Sequence, residues 1–191
     1  LILVMIATAI PAGFAAGLFG IGGGLITVPI LFYIFGLAGI EPIYIMHLAV
    51  GTSFGIIIPT SIVSVFTHHQ HKSVDFSVVK GYGFFVATGV ILGTILAASL
   101  ETKPLISFFT VVVYILAFYL LFRKEKEENL EIKMGLLAKG ICGVISGFIS
   151  APMGIGGAVM NVPILKFFGF PINKAISSAA AIGFIIALFG C

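Results

Sequence analysis

The sequence predicts an all-α, polytopic membrane protein made of two related halves whose helices are interrupted by glycine clusters. Three observations carry that prediction. First, 60% of the 191 residues are hydrophobic, only 9% are charged, and mean hydropathy is +1.24. A water-soluble domain has no way to hide that much apolar surface. Second, the apolar residues form long continuous runs, whereas a membrane β-barrel shows short alternating segments. Third, a glycine-rich stretch at residues 20–29, GIGGGLITVP, returns at residues 154–163 as GIGGAVMNVP.

Crossing the hydrocarbon core takes roughly 20 apolar residues as a helix. Residues 1–19 suffice, but the apolar sequence runs on through the glycines to Phe35. The part after the glycines is about half a span by the same measure. Residues 1–36 therefore read either as one tilted, broken helix or as a re-entrant hairpin. Ala15-Ala16-Gly17 has the look of a signal-peptide cleavage site, but no basic segment precedes the apolar run and further spans follow.

A turn carrying Glu41 leads into a second span, about 43–66, with HLAVGTS (residues 47–53) near its start and Pro59 placed to kink it. The loop 67–75 follows. Its His68-His69-x-His71 has metal-ligand residue types, but it reads more simply as a polar turn. A third span, about 77–99, is rich in small residues that let membrane helices approach closely. After ETKP comes a fourth span, about 105–122. Residues 123–133, RKEKEENLEIK, form a charged connector of mixed sign. A fifth span starts near Met134 and meets the second glycine cluster. A half-span at 158–169, a turn and a last apolar run at 175–191 complete the chain.

The organisation is thus a first repeat at 1–122, a cytoplasmic connector at 123–133, and a shorter second repeat at 134–191. The net charge of +3 is spread over loops and points to no nucleic acid. Cys142 and Cys191 lie far apart in apolar sequence and suggest no disulfide framework.

Shifting the chain by 134 residues lays residues 13–31 on 147–165 without a gap, and ten of the nineteen positions are identical. Apolar composition alone does not reproduce glycine and proline positions together. Further on, AVGTS at 49–53 meets AISSA at 175–179. Duplicated halves with glycine-interrupted segments in matching places are the sequence pointer to a secondary transporter's binding site.

The lysines and arginines bear on orientation, because cytoplasmic loops hold the excess. If both broken units are re-entrant, Lys72, Lys80, Arg123, Lys124, Lys126, Lys133, Lys139, Lys166 and Lys174 share the inside and only Lys103 lies outside. If each crosses once, Lys166 and Lys174 move outside. The first arrangement fits better and makes the repeats inverted.

GxGGGxxxVPxL in the first half, A-x-GTS one span later and a second GxGG…P copy together resemble the TauE/SafE family of membrane permeases. The resemblance covers most of the chain. It implies a multi-pass protein of the cytoplasmic membrane that moves sulfite, sulfonates or related small organosulfur anions. It also implies further closing spans, so the chain reads as short in its second half. The chain departs from the pattern where Ala158, Asn161 and Ser177-Ser178-Ala179 replace the Gly, Thr and Gly-Thr-Ser of the first copy.

The residue types suit an anion. Amides at a helix start lack intrahelical partners, and the macrodipole adds about half a positive charge there. Such an end attracts an oxyanion without lysine or arginine. Gly20, Gly22, Gly23 and Gly24 in the first copy, and Gly154, Gly156 and Gly157 in the second, let a ligand approach bare backbone. Thr27, Thr52, Ser53, Asn161, Ser177 and Ser178 are candidates for neutral hydrogen bonds, beside Gly51. Pro29 and Pro163 shape the half-helices. His47, about one turn inside the second span, can hydrogen-bond when neutral or carry a coupling proton when charged.

Plainer readings stand beside these. Membrane glycines often serve packing alone, serines and threonines often bond back to their own helix, and a histidine near a span end is often interfacial. No lysine follows the glycines as a Walker loop requires, and Leu25 occupies the third-glycine position of a dinucleotide fingerprint. No carboxylate falls deep within a span, so no carboxylate proton relay is expected there. An intramembrane enzyme is the weakest reading, because its candidate catalytic groups reduce to His47 and scattered hydroxyls, and no cofactor is expected. The partners expected are a small anionic organosulfur substrate, the bilayer and a coupling ion, proton or sodium. The rival expectation is a non-transporting assembly or docking subunit whose glycines merely pack helices.

Overall fold

The computed structural model describes residues 2–19, 23–70, 73–122 and 134–191, and these are helical almost throughout. Eight helices follow in order: α1 (Ile2–Phe19), α2 (Gly24–Leu37), α3 (Ile45–Gln70), α4 (Phe76–Ser99), α5 (Thr102–Phe122), α6 (Leu136–Met153), α7 (Ala158–Phe167) and α8 (Ile172–Gly190). Among the described residues five helices, α3, α4, α5, α6 and α8, are long and apolar enough to cross a membrane, while α2 and α7 are shorter. Gly20, Gly22, His71 and the 123–133 connector lie outside the described residues.

Local chemistry sets the helix ends. Asp75 caps α4, its Oδ1 accepting from the amides of Ser77 at 3.0 Å and Val78 at 3.3 Å. α6 stops because Gly154 turns into the left-handed region at φ +63°, a conformation that side chains with a Cβ resist. Its N–H donates back to the carbonyls of Ser150 and Ala151. α3 runs to Gln70, one turn beyond the sequence expectation, so His68 sits on a helix rather than in a loop. Hydrophobicity had faded there, but the helix continues, and the Thr67 hydroxyl donates to the Val63 carbonyl. Pro59 lies within α3, where the adjacent Thr60 hydroxyl bonds the carbonyls of Ile56 and Ile57. Polar side chains of this kind help membrane helices carry an internal proline.

Glycine positions decide how the helices meet. A Cβ built on Gly89 would lie 2.2 Å from the Val144 carbonyl oxygen, and one on Gly147 would lie 2.1 Å from that of Val86. α4 and α6 therefore pack backbone against backbone, as small residues in membrane helices permit. Lys139 beside Gly81, Gly143 beside Phe85, and Ala151 beside Gly93 show that the two helices run parallel. Gly13, which the sequence shift of 134 lays on Gly147, has nothing within 4 Å of its Cβ position.

α7 turns back toward the end where α6 began. Eight residues after α6 stops, Asn161 bonds Ser146 of α6 and Tyr82 near the start of α4. α8 then starts beside α4, where the amide of Asp75 donates to the Ser178 hydroxyl. α8 and α3 run antiparallel: Gly183 faces Ser61, and Gly190 faces Phe54. α2 and α7 point in opposite directions, each leading through a tight turn into its long partner. Four of the five described lysines, Lys80, Lys139, Lys166 and Lys174, lie at the connector end, and Lys103 lies at the other. Such an excess of lysine at one end is what a cytoplasmic face is expected to carry.

The core is where these elements converge. Val28, Ala49, Phe54, Tyr82, Val86, Val90, Leu165, Ala175, Ile182 and Ile186 are buried within one cluster. The large apolar side chains of α5, among them Tyr114, Phe118 and Phe122, remain exposed on the outside, as a lipid-facing helix requires.

Candidate functional site

The start of α2 meets the turn between α6 and α7. A Cβ on Gly24, the first residue of α2, would fall 2.1 Å from the Gly154 carbonyl oxygen and 2.7 Å from the Ile155 Cα. Only a residue without a side chain lets the start of α2 seat on the α6–α7 turn. Gly154 in turn faces Val28 of α2 and Val50 of α3.

A chain of hydroxyls runs across this junction. The Ser53 hydroxyl donates to the Gly154 carbonyl at 2.8 Å, and Thr27 Oγ1 lies 3.3 Å from Ser53 Oγ. Thr27 also donates to the Gly23 carbonyl at 2.6 Å. Three motifs far apart in sequence, the first break, the Gly-Thr-Ser segment and the second break, thus share one polar seam. Residues 153–157 are all buried, while Gly23 and Thr27 are half-buried.

The second break carries a separate polar cluster. Asn161, on the first turn of α7, is fully buried. Its Oδ1 accepts from the Tyr82 hydroxyl at 2.8 Å and from Ser146 Oγ at 2.6 Å. Its Nδ2 has no hydrogen-bond partner among the described residues, nor has the buried hydroxyl of Ser150. A Cβ on Gly157 would meet Asn161 Nδ2 at 2.8 Å and the Ala179 carbonyl oxygen at 3.0 Å. Gly156 is less confined and faces Ile57 at 3.4 Å.

The other sequence-predicted residues spread away from the junction. Gly51 has nothing within 4 Å of its Cβ position, and Thr52 and Pro29 are exposed. Pro163 is half-buried in α7. Ser177 is buried and donates to its own helix at the Asn173 carbonyl, 2.6 Å away. Ser178 is engaged with Asp75 at the connector end. His47 lies at the opposite end, where Nε2–H donates to the Ala97 carbonyl at 3.1 Å and Nδ1 is buried without a partner. His47, Ser177 and Ser178 therefore stand apart from the seam that joins Gly24, Thr27, Ser53 and Gly154.

Sequence reasoning missed Tyr82, Ser146 and Ser150. A signal was present: a tyrosine flanked by Gly81 and Gly83 within a span needs a partner for its hydroxyl. Ser146 and Ser150 stand four apart, on one face of α6.

Electrostatically the junction is built from neutral groups. The residues of the seam and of the Asn161 cluster include no lysine, arginine, aspartate or glutamate. The starts of α2 and α7 both open here, at Gly23 and Gly157 respectively, so two positive helix ends converge.

The family model described as sulfite exporter TauE/SafE matches residues 5–191. The chain belongs to the TauE/SafE family. It is a multi-pass integral membrane protein of a transporter family. Similar proteins carry transporter descriptions. A probable membrane transporter protein of Haemophilus influenzae is 32% identical over 179 residues, which cover 94% of this chain and 68% of the relative. One of Methanocaldococcus jannaschii is 29% identical over 171 residues, 89% of this chain and 63% of its own. One of Xylella fastidiosa is 35% identical over 177 residues, 90% of this chain and 66% of its own. The chain thus spans about two thirds of the length of these relatives. No solved structure matches it.

Proposed function

We propose that this TauE/SafE chain is a secondary permease for small sulfur-containing oxyanions such as sulfite and sulfonates, in the cytoplasmic membrane. The observation that carries the reading is the imbalance of poles where the breaks meet. The helix starts at Gly24 and Ala158 bring first-turn amides that have no intrahelical acceptor. Part of the opposing carbonyl end of α6 is already occupied. Ser150 O accepts from the amides of Gly154 and Ile155, Ala151 O accepts from Gly154, and Gly154 O accepts from Ser53. The first-turn amides offer a ligand donor character without full charge, which suits an oxyanion and permits release.

The name of the family supports the sulfur-containing class, and the head-to-head breaks support inverted halves working by alternating access around one site. Substrate-contacting roles fall first to Gly23, Gly157 and Asn161, while Thr27 and Ser53, whose hydroxyl protons go to the Gly23 and Gly154 carbonyls, shape the junction around the ligand. His47 is proposed to sit on the external route, where its half-buried ring can serve a coupling proton. Nothing in this arrangement asks for bond-breaking chemistry, and a permease rather than an enzyme is the reading we adopt.

A specific observation favours a second reading. Gly24 and Gly157 are filled by their own neighbours, as helix packing in an assembly subunit would demand. Uptake into proteoliposomes separates the two. Labelled sulfite, taurine and methanesulfonate are each offered to the reconstituted protein. Saturable uptake of at least one, absent from empty vesicles, is the expected result. A correctly folded protein that moves none of them excludes the permease reading and leaves the packing one.

A further inference from the structure

We infer that Tyr82 and Ser146 are positioning residues which lock the Asn161 carboxamide so that the second break presents a hydrogen-bond donor to its ligand. The inference rests on the oxyanion reading above and deepens it by assigning anion selectivity to a neutral side chain. A carboxamide has two faces of opposite character: an oxygen that accepts and a nitrogen that donates twice. Which face meets the break decides whether an anion is attracted or repelled there.

The surroundings make that choice. Two hydroxyls from two helices face Oδ1. Ser146 of α6 donates at 2.6 Å, and Tyr82 of α4, which also lies 3.3 Å from the Cys142 carbonyl, directs its one proton to the nearer Oδ1 at 2.8 Å, so both lone pairs are used. Nδ2 is thereby aimed at Gly157, whose Cβ position lies 2.8 Å away. At full burial it finds no acceptor among the described residues. A buried amide left in this condition is uncommon in a folded protein and calls for an explanation. An oxyanion seated at the start of α7 supplies one, because it brings acceptor oxygens to the place where Nδ2 and the first-turn amides both point. Ser150 strengthens the case. It is fully buried, its hydroxyl lacks a partner, and it lies one helical turn nearer the break than Ser146 on the same face of α6.

The lock also explains why the second copy carries asparagine where the first has Thr27. A threonine hydroxyl bonds back to its own helix, as Thr27 does to Gly23, and needs no outside support. The carboxamide is longer and two-faced, so it requires Tyr82 and Ser146 to hold it. With one hydroxyl removed, the other can rotate to accept from Nδ2, and the amide can turn its oxygen to the break.

The test is equilibrium binding of labelled sulfite and methanesulfonate to the purified protein, with melting temperature recorded for every variant. Tyr82→Phe and Ser146→Ala are each expected to weaken binding on the order of tenfold, the loss of one charge-assisted hydrogen bond. Asn161→Ala should weaken it at least as much. In the Asn161→Ala background, Tyr82→Phe should weaken binding no further, because its effect passes through the carboxamide. A purely structural tyrosine would lower the melting temperature in both backgrounds and show the same binding loss in each. Unchanged affinity in both single variants, or an undiminished Tyr82→Phe loss without Asn161, overturns the inference. If Tyr82→Phe does not fold, Ser146→Ala carries the same comparison. Wild-type protein that binds neither anion overturns the oxyanion reading and this inference together, whereas wild-type binding with unaltered variants overturns this inference alone.

Discussion

The Ser53 hydroxyl donates a 2.8 Å hydrogen bond to the carbonyl of Gly154, and this one contact ties α3 to the turn between α6 and α7. Both groups are buried. Ser53→Ala removes the donor and strands the carbonyl, a loss of about 1–3 kcal/mol for an unsatisfied buried acceptor. Thr27→Ala should cost less, because Thr27 chiefly bonds its own helix at Gly23. Thermal unfolding in detergent checks the order: the Ser53 variant is expected to melt well below the Thr27 variant.

Gly23 and Gly24 are neighbours with opposite expectations. Gly24→Ala drives a methyl into the Gly154 backbone at 2.1 Å, and such overpacking costs roughly 1–3 kcal/mol or more. At Gly23 the nearest atom to a new Cβ is Thr27 Oγ1 at 3.9 Å, so Gly23→Ala should fold and melt like the wild type. Any change that Gly23→Ala causes in anion affinity then reports on access to the amides and not on packing. Melting and binding measured side by side on the two variants separate these roles.

The parallel contact of α4 and α6 should be the least forgiving of the fold. Gly147→Ala and Gly89→Ala each place a Cβ within 2.2 Å of a backbone oxygen on the facing helix. Each is expected to lower stability by about 1–3 kcal/mol through forced separation of the helices. Gly51→Ala, with nothing within 4 Å, is the control and should be neutral or slightly stabilising through its better helix propensity. Yield of monodisperse protein and melting temperature read the contrast.

Asp75 closes the connector end twice over. Its carboxylate caps α4, and its amide donates to Ser178 on α8. Asp75→Ala should cost about 1 kcal/mol, as the loss of a helix cap does, while Asp75→Asn should retain most of it. Hydrogen exchange at the first turn of α4 measures the effect directly.

Much of this was legible in the residues. Long apolar runs identified the spans, and the second glycine cluster falls where α6 ends at Gly154. Glycine at fixed spacing is a backbone signal, and the backbone obeys it: Gly24, Gly154 and Gly157 all sit where a Cβ has no room. The partners of the polar groups were not legible, because they come from distant segments. Ser177 and Ser178 match Gly51 and Thr52 in the alignment of the halves, and Ala179 matches Ser53, so the second copy has no hydroxyl where Ser53 reaches Gly154; Ser177 bonds Asn173 and Ser178 meets Asp75 instead. Tyr82 and Ser146 escaped notice for a related reason. Each is unremarkable within its own span, and the cluster exists only because α7 folds back to bring Asn161 between them.

The most direct test of the account is a structure of the reconstituted protein determined with sulfite or a sulfonate bound. The account predicts anion density at the meeting of the two breaks, with its oxygens within hydrogen-bond distance of the α7 first-turn amides and Asn161 Nδ2, and close to Thr27 and Ser53. Density confined to another part of the bundle, with the junction unoccupied at saturating anion, would contradict it.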